Sequence, residues 1–453
     1  MEDTDAPNGG FYYPQDFSLE AVDITTDSGN VYKLKYLVVE LSFFEDIYAF
    51  ACSGNVVLRD AVGLIEKLKL DGSEIIEITY GKSSSQKKSE KNSRKYRLYK
   101  IGNRKPLGNK TTEFFTMYFC SEELFLSEQI KISKSFKGQK VSEIVYSILS
   151  DTNNGLKVNR SKIQKIENTY GVYDFVIPKL KPLEAISWLS TYARPERRGN
   201  KDSGADMLFY ETNDGFYFQS LQSMFTAAPY ATYKYQPSDL DFKNSYENNF
   251  NIIDYEFIKT YDTLDATASG IYANRLISID PLLRKKTITD FNKDKLTGYS
   301  NSGSPSNRFG KKLTDMYDSS LKLAFSNSNQ INGPYIKQGE SQVGKDIFIE
   351  TSVPNRSAQI ALSNYTVMKA IIPGDSTITA GRTVNILLYS LEFGGDAENA
   401  SRALDTYFSG IYLVTAVRHI IQTQGVYQTV LELAKESLKS SYDTQGNSGR
   451  LNE

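Results

Sequence analysis

Histidine does most acid–base and metal chemistry near neutral pH, and this chain has a single one, His419, in the run VTAVRHII. One histidine builds neither an HExxH helix nor a Cys/His metal cluster, and it leaves no choice of Ser/His/Asp set. On a strand-like run it reads as a structural or surface residue. Cys52 and Cys120 are too few for a disulfide framework or a four-ligand zinc site and read as reduced, buried small hydrophobes. Two phrases imitate ligand loops and fail on spacing. YGKSSS resembles the end of a phosphate loop, but the Gly required five residues before Gly81 is replaced by Ile76. DFNKDK at 290–295 starts like a calcium loop, yet Lys295 stands where the sixth-position Gly belongs and Asn301 where the twelfth-position Glu belongs. Glycosidase chemistry needs two carboxylates at the right separation. With 54 acidic residues the sequence neither excludes nor singles out a pair. No residue is therefore assigned as catalytic, cofactor-binding or metal-binding.

One charged stretch stands apart. Residues 82–105 hold Lys82, Lys87, Lys88, Lys91, Arg94, Lys95, Arg97, Lys100, Arg104 and Lys105 against Glu90 alone. Such a run suits a solvated hairpin loop, a DNA-binding arm, or a loop that orders on an acidic protein partner. The formal net charge of −1 speaks against binding driven by phosphate contacts over the whole chain.

The elements that would position these residues are mostly strands. Aromatics make up 12% of the 453 residues, with 31 Tyr and 24 Phe against one Trp, and Tyr and Phe suit pleated, half-buried surfaces. VYKLKYLVVELSFF, YAFACSGNVVLRD, SEIIEITYG, YRLYKI and TEFFTMYF are punctuated by turn residues, as in a small antiparallel barrel. After residue 120 the pattern changes. Val141, Ile144, Val145, Ile148 and Leu149 recur at helical spacing. A second helix starts at Pro182, with Leu183, Ile186 and Leu189 on one face. MLFYETNDGFYFQSL reads as a hairpin turning at Asn213-Asp214-Gly215. Residues 248–262 form a further strand-like run, NRSAQIALSNYTVM a helix, and GIYLVTAVRHIIQTQGVYQTVLELA the last strand pair. The acidic N-terminus lacks the features of a signal peptide, and no stretch approaches 18 apolar residues, so no membrane span is expected. With so few cysteines, the chain reads as folded in a reducing cytosol.

One phrase occurs twice. The frame G-x-x-[IV]-x-x-[IL]-x-Y fits Gly72, Ile75, Ile78, Tyr80 and again Gly381, Val384, Leu387, Tyr389. Each copy leads into a long loop and then a strand pair, at 96–120 and 411–434. The expected architecture is mainly β with α+β parts: two similar antiparallel barrels, a middle α+β domain and an inserted loop-rich domain. The boundaries are a flexible 1–14, a first barrel at 15–120, an α+β domain at 121–230, a second barrel split into 231–265 and 355–440, an insertion at 266–354 and a disordered tail at 441–453.

These residues carry a resemblance. DIYAFACSGNVVLRDAVGLIEKLKLDGSEIIEITYG resembles the first barrel of the central baseplate hub proteins of contractile-tailed phages, whose pattern is shared by the hub portion of type VI secretion spike proteins. KPLEAISWLSTYA with MLFYETNDGFYF looks like their middle module. IPGDSTITAGRTVNIL with GIYLVTAVRHII and TVLELA looks like their second barrel. The resemblance touches most of the chain except 265–354 and the two ends.

It implies a non-enzymatic virion protein, assembled in the host cytoplasm, that forms a homotrimer. Six similar barrels would then make a pseudo-six-fold ring between the six-fold tail tube and the trimeric central spike. The ring's channel would pass the tape-measure protein and then DNA in transit. A channel that releases DNA calls for a neutral or acidic lining, with the basic loop turned outward or towards a partner. Two other readings stay open: a tail-tip peptidoglycan-degrading enzyme whose acids lie in 121–228 or the insertion, and a secretion-system spike hub.

Overall fold

The structure, a computed structural model, describes residues 17–82, 91–108, 112–153, 155–196, 206–235, 250–260, 262–280, 284–292, 318, 320–325, 349–389, 404–405, 407–423 and 426–436. The first unit comprises β1 (Phe17–Thr25), β2 (Val31–Lys33), β3 (Val38–Asp46), β4 (Ser53–Asp60), helix α1 (Leu64–Leu68), β5 (Ile75–Lys82), β6 (Lys91–Pro106) and β7 (Glu113–Ser121). Strand geometry sends successive side chains to opposite faces. On β4, Gly54, Val56, Leu58 and Asp60 accordingly point inward and their neighbours outward. Leu19, Val22 and Ile24 of β1 share one core with Leu41 and Phe43 of β3. These strands lie far apart along the sheet, so the sheet curls until they meet.

The middle module follows: α2 (Glu122–Gln129), β8 (Ile132–Gln139), α3 (Val141–Ser150), β9 (Ile163–Ile166), β10 (Tyr173–Leu180), α4 (Pro182–Ser190), β11 (Met207–Thr212), β12 (Gly215–Ser220) and α5 (Leu221–Phe225). Pro182 opens α4, where its missing N–H is not needed. Leu183, Ile186 and Leu189 then pack with Val141, Ile144, Val145, Ile148 and Leu149 of α3 and with Phe209, Phe216 and Phe218 of the hairpin. Each fully buried side chain of this size contributes about 1.5–3 kcal/mol.

The last part runs β13 (Thr232–Lys234), β14 (Asp254–Lys259), α6 (Thr263–Ser269), β15 (Ala273–Asp280), β16 (Lys285–Asn292), β17 (Leu321–Phe325), α7 (Ile349–Ser363), β18 (Thr366–Pro373), β19 (Thr383–Leu387), β20 (Gly410–Gln422) and β21 (Val426–Lys435). Strands β16-β15-β17 form a separate sheet, which with α6 and α7 sits between β14 and β18 in the chain. The molecule is thus mostly β, with large antiparallel sheets and α+β parts.

A duplication is visible in the strand order. The first unit reads β5-β6-β7-β4-β3 across the sheet and the second β19-β20-β21-β18-β14. In both, the chain visits these places in the order fifth, fourth, first, second, third, and every pairing is antiparallel. The registers agree across the middle of both units, while β6 carries an extra bulge between Gly102 and Lys105 that β20 lacks. Lys100–Tyr118–Asn55–Ser42 forms a row of partners across the first unit. Ala416–Glu432–Lys369–Glu256 is the matching row across the second. Both rows lie beside a bulge, between Leu98 and Lys100 and between Val414 and Ala416. The units differ at the strand outside this set: β1 runs antiparallel to β5, whereas β13 runs parallel to β19.

Candidate functional site

Two units of one kind on one chain make their junction the place to look. Strand β20 pairs antiparallel with β3, from Ala416 opposite Asp46 to Gln422 opposite Glu40, so the units join into a single 13-stranded sheet. Arg418 reaches across this seam to Glu40, 3.3 Å away, and to Ser42.

The tip of the β11–β12 hairpin presses against the seam. Gly215 makes the tight turn possible: its φ is +140°, and a Cβ there would lie 2.0 Å from the Lys162 carbonyl oxygen. The tip's Asn213 N–H donates to Glu45 Oε1 at 2.6 Å, and Ala380 N–H donates to Glu45 Oε2 at 3.0 Å. One buried carboxyl on the first unit therefore holds both the middle module and the second unit. Burial pushes Glu45 up to about 7, and the two backbone donors limit the rise. Beside it, Asn213 Nδ2 donates to the Tyr80 hydroxyl at 3.3 Å, and Arg382 lies 3.3 Å from Asp214.

The basic stretch takes part in an unforeseen way. Lys82 closes β5, and Lys91, Arg94 and Lys95 lie on β6, so these four are on paired strands and not in a loop. Lys95 points outward, 3.7 Å from Glu77. Arg94 turns inward, forms an ion pair with the buried Glu211 and donates to the Thr212 carbonyl at 2.9 Å. Burial alone would lower its pKa, but the Glu211 carboxylate outweighs it and keeps the guanidinium charged. Glu211 also accepts from Cys52 N–H at 2.9 Å. Nothing in the sequence pairs Arg94 with a residue so distant along the chain. Lys87 and Lys88 fall outside the described residues, as do 1–14 and 441–453.

His419 is buried on β20, its Nδ1 3.1 Å from the Tyr427 hydroxyl and 3.3 Å from Thr429 Oγ1. Burial lowers its pKa to about 4, which leaves it neutral at pH 7. Cys52 and Cys120 are buried free thiols.

The two frames open on similar turns, but their later residues do not fall at equivalent places. Gly72 and Gly381 precede β5 and β19 with φ of +97° and +86°. Ile78, Tyr80 and Val384 are buried, while Ile75, Leu387 and Tyr389 are half-buried. The letter match runs one residue out of step with the strands. Leu98 N–H donates to Glu74 O at 3.0 Å, and its counterpart Val414 N–H donates to Arg382 O at 2.8 Å. Ile75 therefore corresponds to Thr383, Ile76 to Val384 and Ile78 to Ile386. The second turn is one residue shorter between glycine and strand, which shifts the match.

A cleft of about 570 Å³ opens between the first unit and the module, lined in part by Arg97, Glu122, Glu123, Phe125 and Lys162. Two of its acids are paired: Lys162 lies 2.6 Å from Glu123 and Arg97 3.2 Å from Glu122. Among the described residues no group of three or more His, Cys, Asp or Glu is placed to hold a metal, and no helix is long and apolar enough to cross a membrane.

A tail protein from Neisseria meningitidis MC58 superimposes with a TM-score of 0.50 at 10% identity, covering 92% of this chain and 96% of that one. The chain has the fold of a tail protein. The 43 kDa tail protein of prophage MuSo2 from Shewanella oneidensis gives a TM-score of 0.48 at 6% identity, covering 92% and 98%. A component of the type VI secretion system of E. coli gives 0.39 at 8% identity, covering 94% and 79%. No family model and no curated protein matches the chain.

Proposed function

We propose that this chain is the structural hub of a contractile-tail baseplate. Three copies form a ring whose six sheet units, two per chain, face the six-fold tail tube, while the three-fold chain arrangement suits a trimeric central spike. The domains divide as the sequence suggests, with units at 15–120 and 231–265 plus 355–440, the α+β domain at 121–230 and the insertion at 266–354. The observation that carries the reading is the five-strand order repeated within one chain, with matching registers and an edge-to-edge join. Duplication lets a three-fold assembly present six similar surfaces without a second kind of chain. The role is architectural: Glu122 and Glu123 of the cleft stand in ion pairs, and the seam holds neutral His419 away from solvent. The ring leaves a channel for the tape-measure protein and for DNA in transit, with a lining that carries no excess of Lys and Arg.

Light scattering tests the reading. The expected mass is three times the 51.0 kDa chain, with binding to tube and spike proteins. A persistent monomer that ignores both overturns it.

A further inference from the structure

The sheet β16-β15-β17 of the insertion keeps one apolar face open. Its pairing sets Ile288, Ile277 and Leu323 in one row and Asp290, Arg275 and Leu321 in the next but one. Partners in a row point to the same face, and successive residues along a strand point to opposite faces. The opposite face is occupied. Leu276 is buried in the core of the middle module, and Ala324 of β17 and Val353 of α7 pack against that core. Arg356 of α7 donates to the Ser190 and Met207 carbonyls of the module at 3.2 and 3.0 Å. The apolar rows face solvent instead: Ile288 is 54% exposed, Leu321 60% and Leu323 67%. The face is charged at its ends. Arg284, Lys285 and Lys286 are exposed at the start of β16, and Lys286 shares a row with Ile279. At the far end Asp290 and Asp318 both pair with Arg275.

The size of the face decides what kind of occupant it suits. Three strands over five residues measure about 14 by 17 Å, well short of the roughly 800 Å² that each partner gives to a stable interface. A separate chain gains too little there. A segment tethered to the same chain meets the face at an effective concentration of about millimolar, so a small contact suffices. We infer that residues 1–16 dock on this face of their own chain, with carboxylates towards Lys286 and aromatic side chains on the apolar rows. The inference goes beyond the hub reading and does not depend on it. Charge selects the segment. Residues 1–16 hold Glu2, Asp3, Asp5 and Asp16 with no Lys or Arg, and Phe11, Tyr12 and Tyr13 stand together. Every other stretch of comparable length outside the described residues contains Lys or Arg. The link 293–317, which adjoins the sheet, has five basic residues against two acidic ones and is repelled by the Lys286 end. Reach is sufficient. Strand β1 begins at Phe17, and its Leu19 pairs with Tyr80, whose hydroxyl accepts from Asn213 at the hairpin tip. From the tip, β11 runs back about 20 Å to Met207, where Arg356 of α7 is bonded. Sixteen residues extend to about 53 Å, enough to follow β11 and pass round the sheet.

Photo-cross-linking of the full chain tests the contact. With benzoylphenylalanine in place of Tyr12, illumination is expected to join position 12 to β15, β16 or β17 without raising the mass of the chain on a denaturing gel. Peptide mass spectrometry reads the site. Arg284→Glu combined with Lys286→Glu, both at exposed positions, should lower the yield several-fold. Adding Asp3→Lys and Asp5→Lys to that variant should restore it, because the attraction is then reversed in sign on both sides. Unchanged yield in the first variant overturns the inference, as does a link to any other part of the chain, a link between two copies, or no link at all. The native mass of the same samples judges the hub reading separately: a trimer without the cross-link leaves the hub standing, and a monomer with it leaves the docked segment standing.

Discussion

Arg94 and Glu211 show how far a residue's role can lie from its local sequence. In a run of lysines and arginines Arg94 reads as one more solvated cation, yet it is charged because a buried carboxylate from the middle module faces it. Removing one partner of a buried pair leaves the other uncompensated, at a cost of about 3–5 kcal/mol, whereas replacing both by apolar residues is often neutral. Arg94→Met is therefore expected to lower stability by that order, and adding Glu211→Leu to recover most of it, as read by urea denaturation. Glu45 and His419 give a second prediction. Glu45 titrates near 7 in the fold against a usual 4.5, so its contribution is full below about 4.5 and is lost as pH rises through 7. His419 titrates near 4 against a usual 6.5, so its contribution is full above 6.5 and is lost as pH falls towards 4. Between pH 4.5 and 6.5 the two slopes oppose each other at about 1.4 kcal/mol per unit each. Glu45→Gln should thus make stability rise with pH over that window and His419→Asn should make it fall. Equal slopes in both variants would remove the argument.

At the scale of elements, the two glycines before β5 and β19 share a left-handed backbone but not their surroundings. A Cβ on Gly381 would lie 2.0 Å from the Tyr210 hydroxyl, while the nearest atom to one on Gly72 is the Tyr99 carbonyl oxygen at 4.0 Å. Gly72→Ala should cost about 1 kcal/mol of backbone strain. Gly381→Ala should cost clearly more, because the hairpin's tyrosine must move as well. Comparable denaturation midpoints for the two variants would contradict this. Elements with strong local signals were readable without coordinates. Strand β4 alternates, α3 and α4 repeat at helical spacing, and Asn213-Asp214 announces its turn. Others were not. In α2, Leu124, Phe125 and Leu126 are consecutive and make no stripe. The helix start is marked instead by Ser121, whose Oγ accepts from Leu124 N–H. In β8 only Ile132 and Phe136 are buried, four apart, a spacing that suits a helix as well as a strand. The parallel pairing of β9 with β12 joins segments about 50 residues apart and leaves no short-range trace.

For the whole molecule, the duplication was legible as an order of elements and a pair of turn glycines, and its register was not. Letters align by similarity, but strands align by hydrogen bonds, and a turn one residue shorter moves every side chain to the opposite face unless the match is shifted. The candidate site was less legible still. The seam depends on Glu45, Asn213 and Ala380, which lie in three separate regions of the chain and carry no shared motif.

The sheet β16-β15-β17 with α6 and α7 interrupts the second unit between β14 and β18, where the first unit has only the short link 47–52. Around the proposed ring of three chains, every other position would then carry this extra sheet, like a cogwheel with alternate teeth marked. A threefold plug could drop into such a wheel in only three equivalent settings, 120° apart, so the rotational phase of everything stacked beneath it would be decided by one stretch of polypeptide.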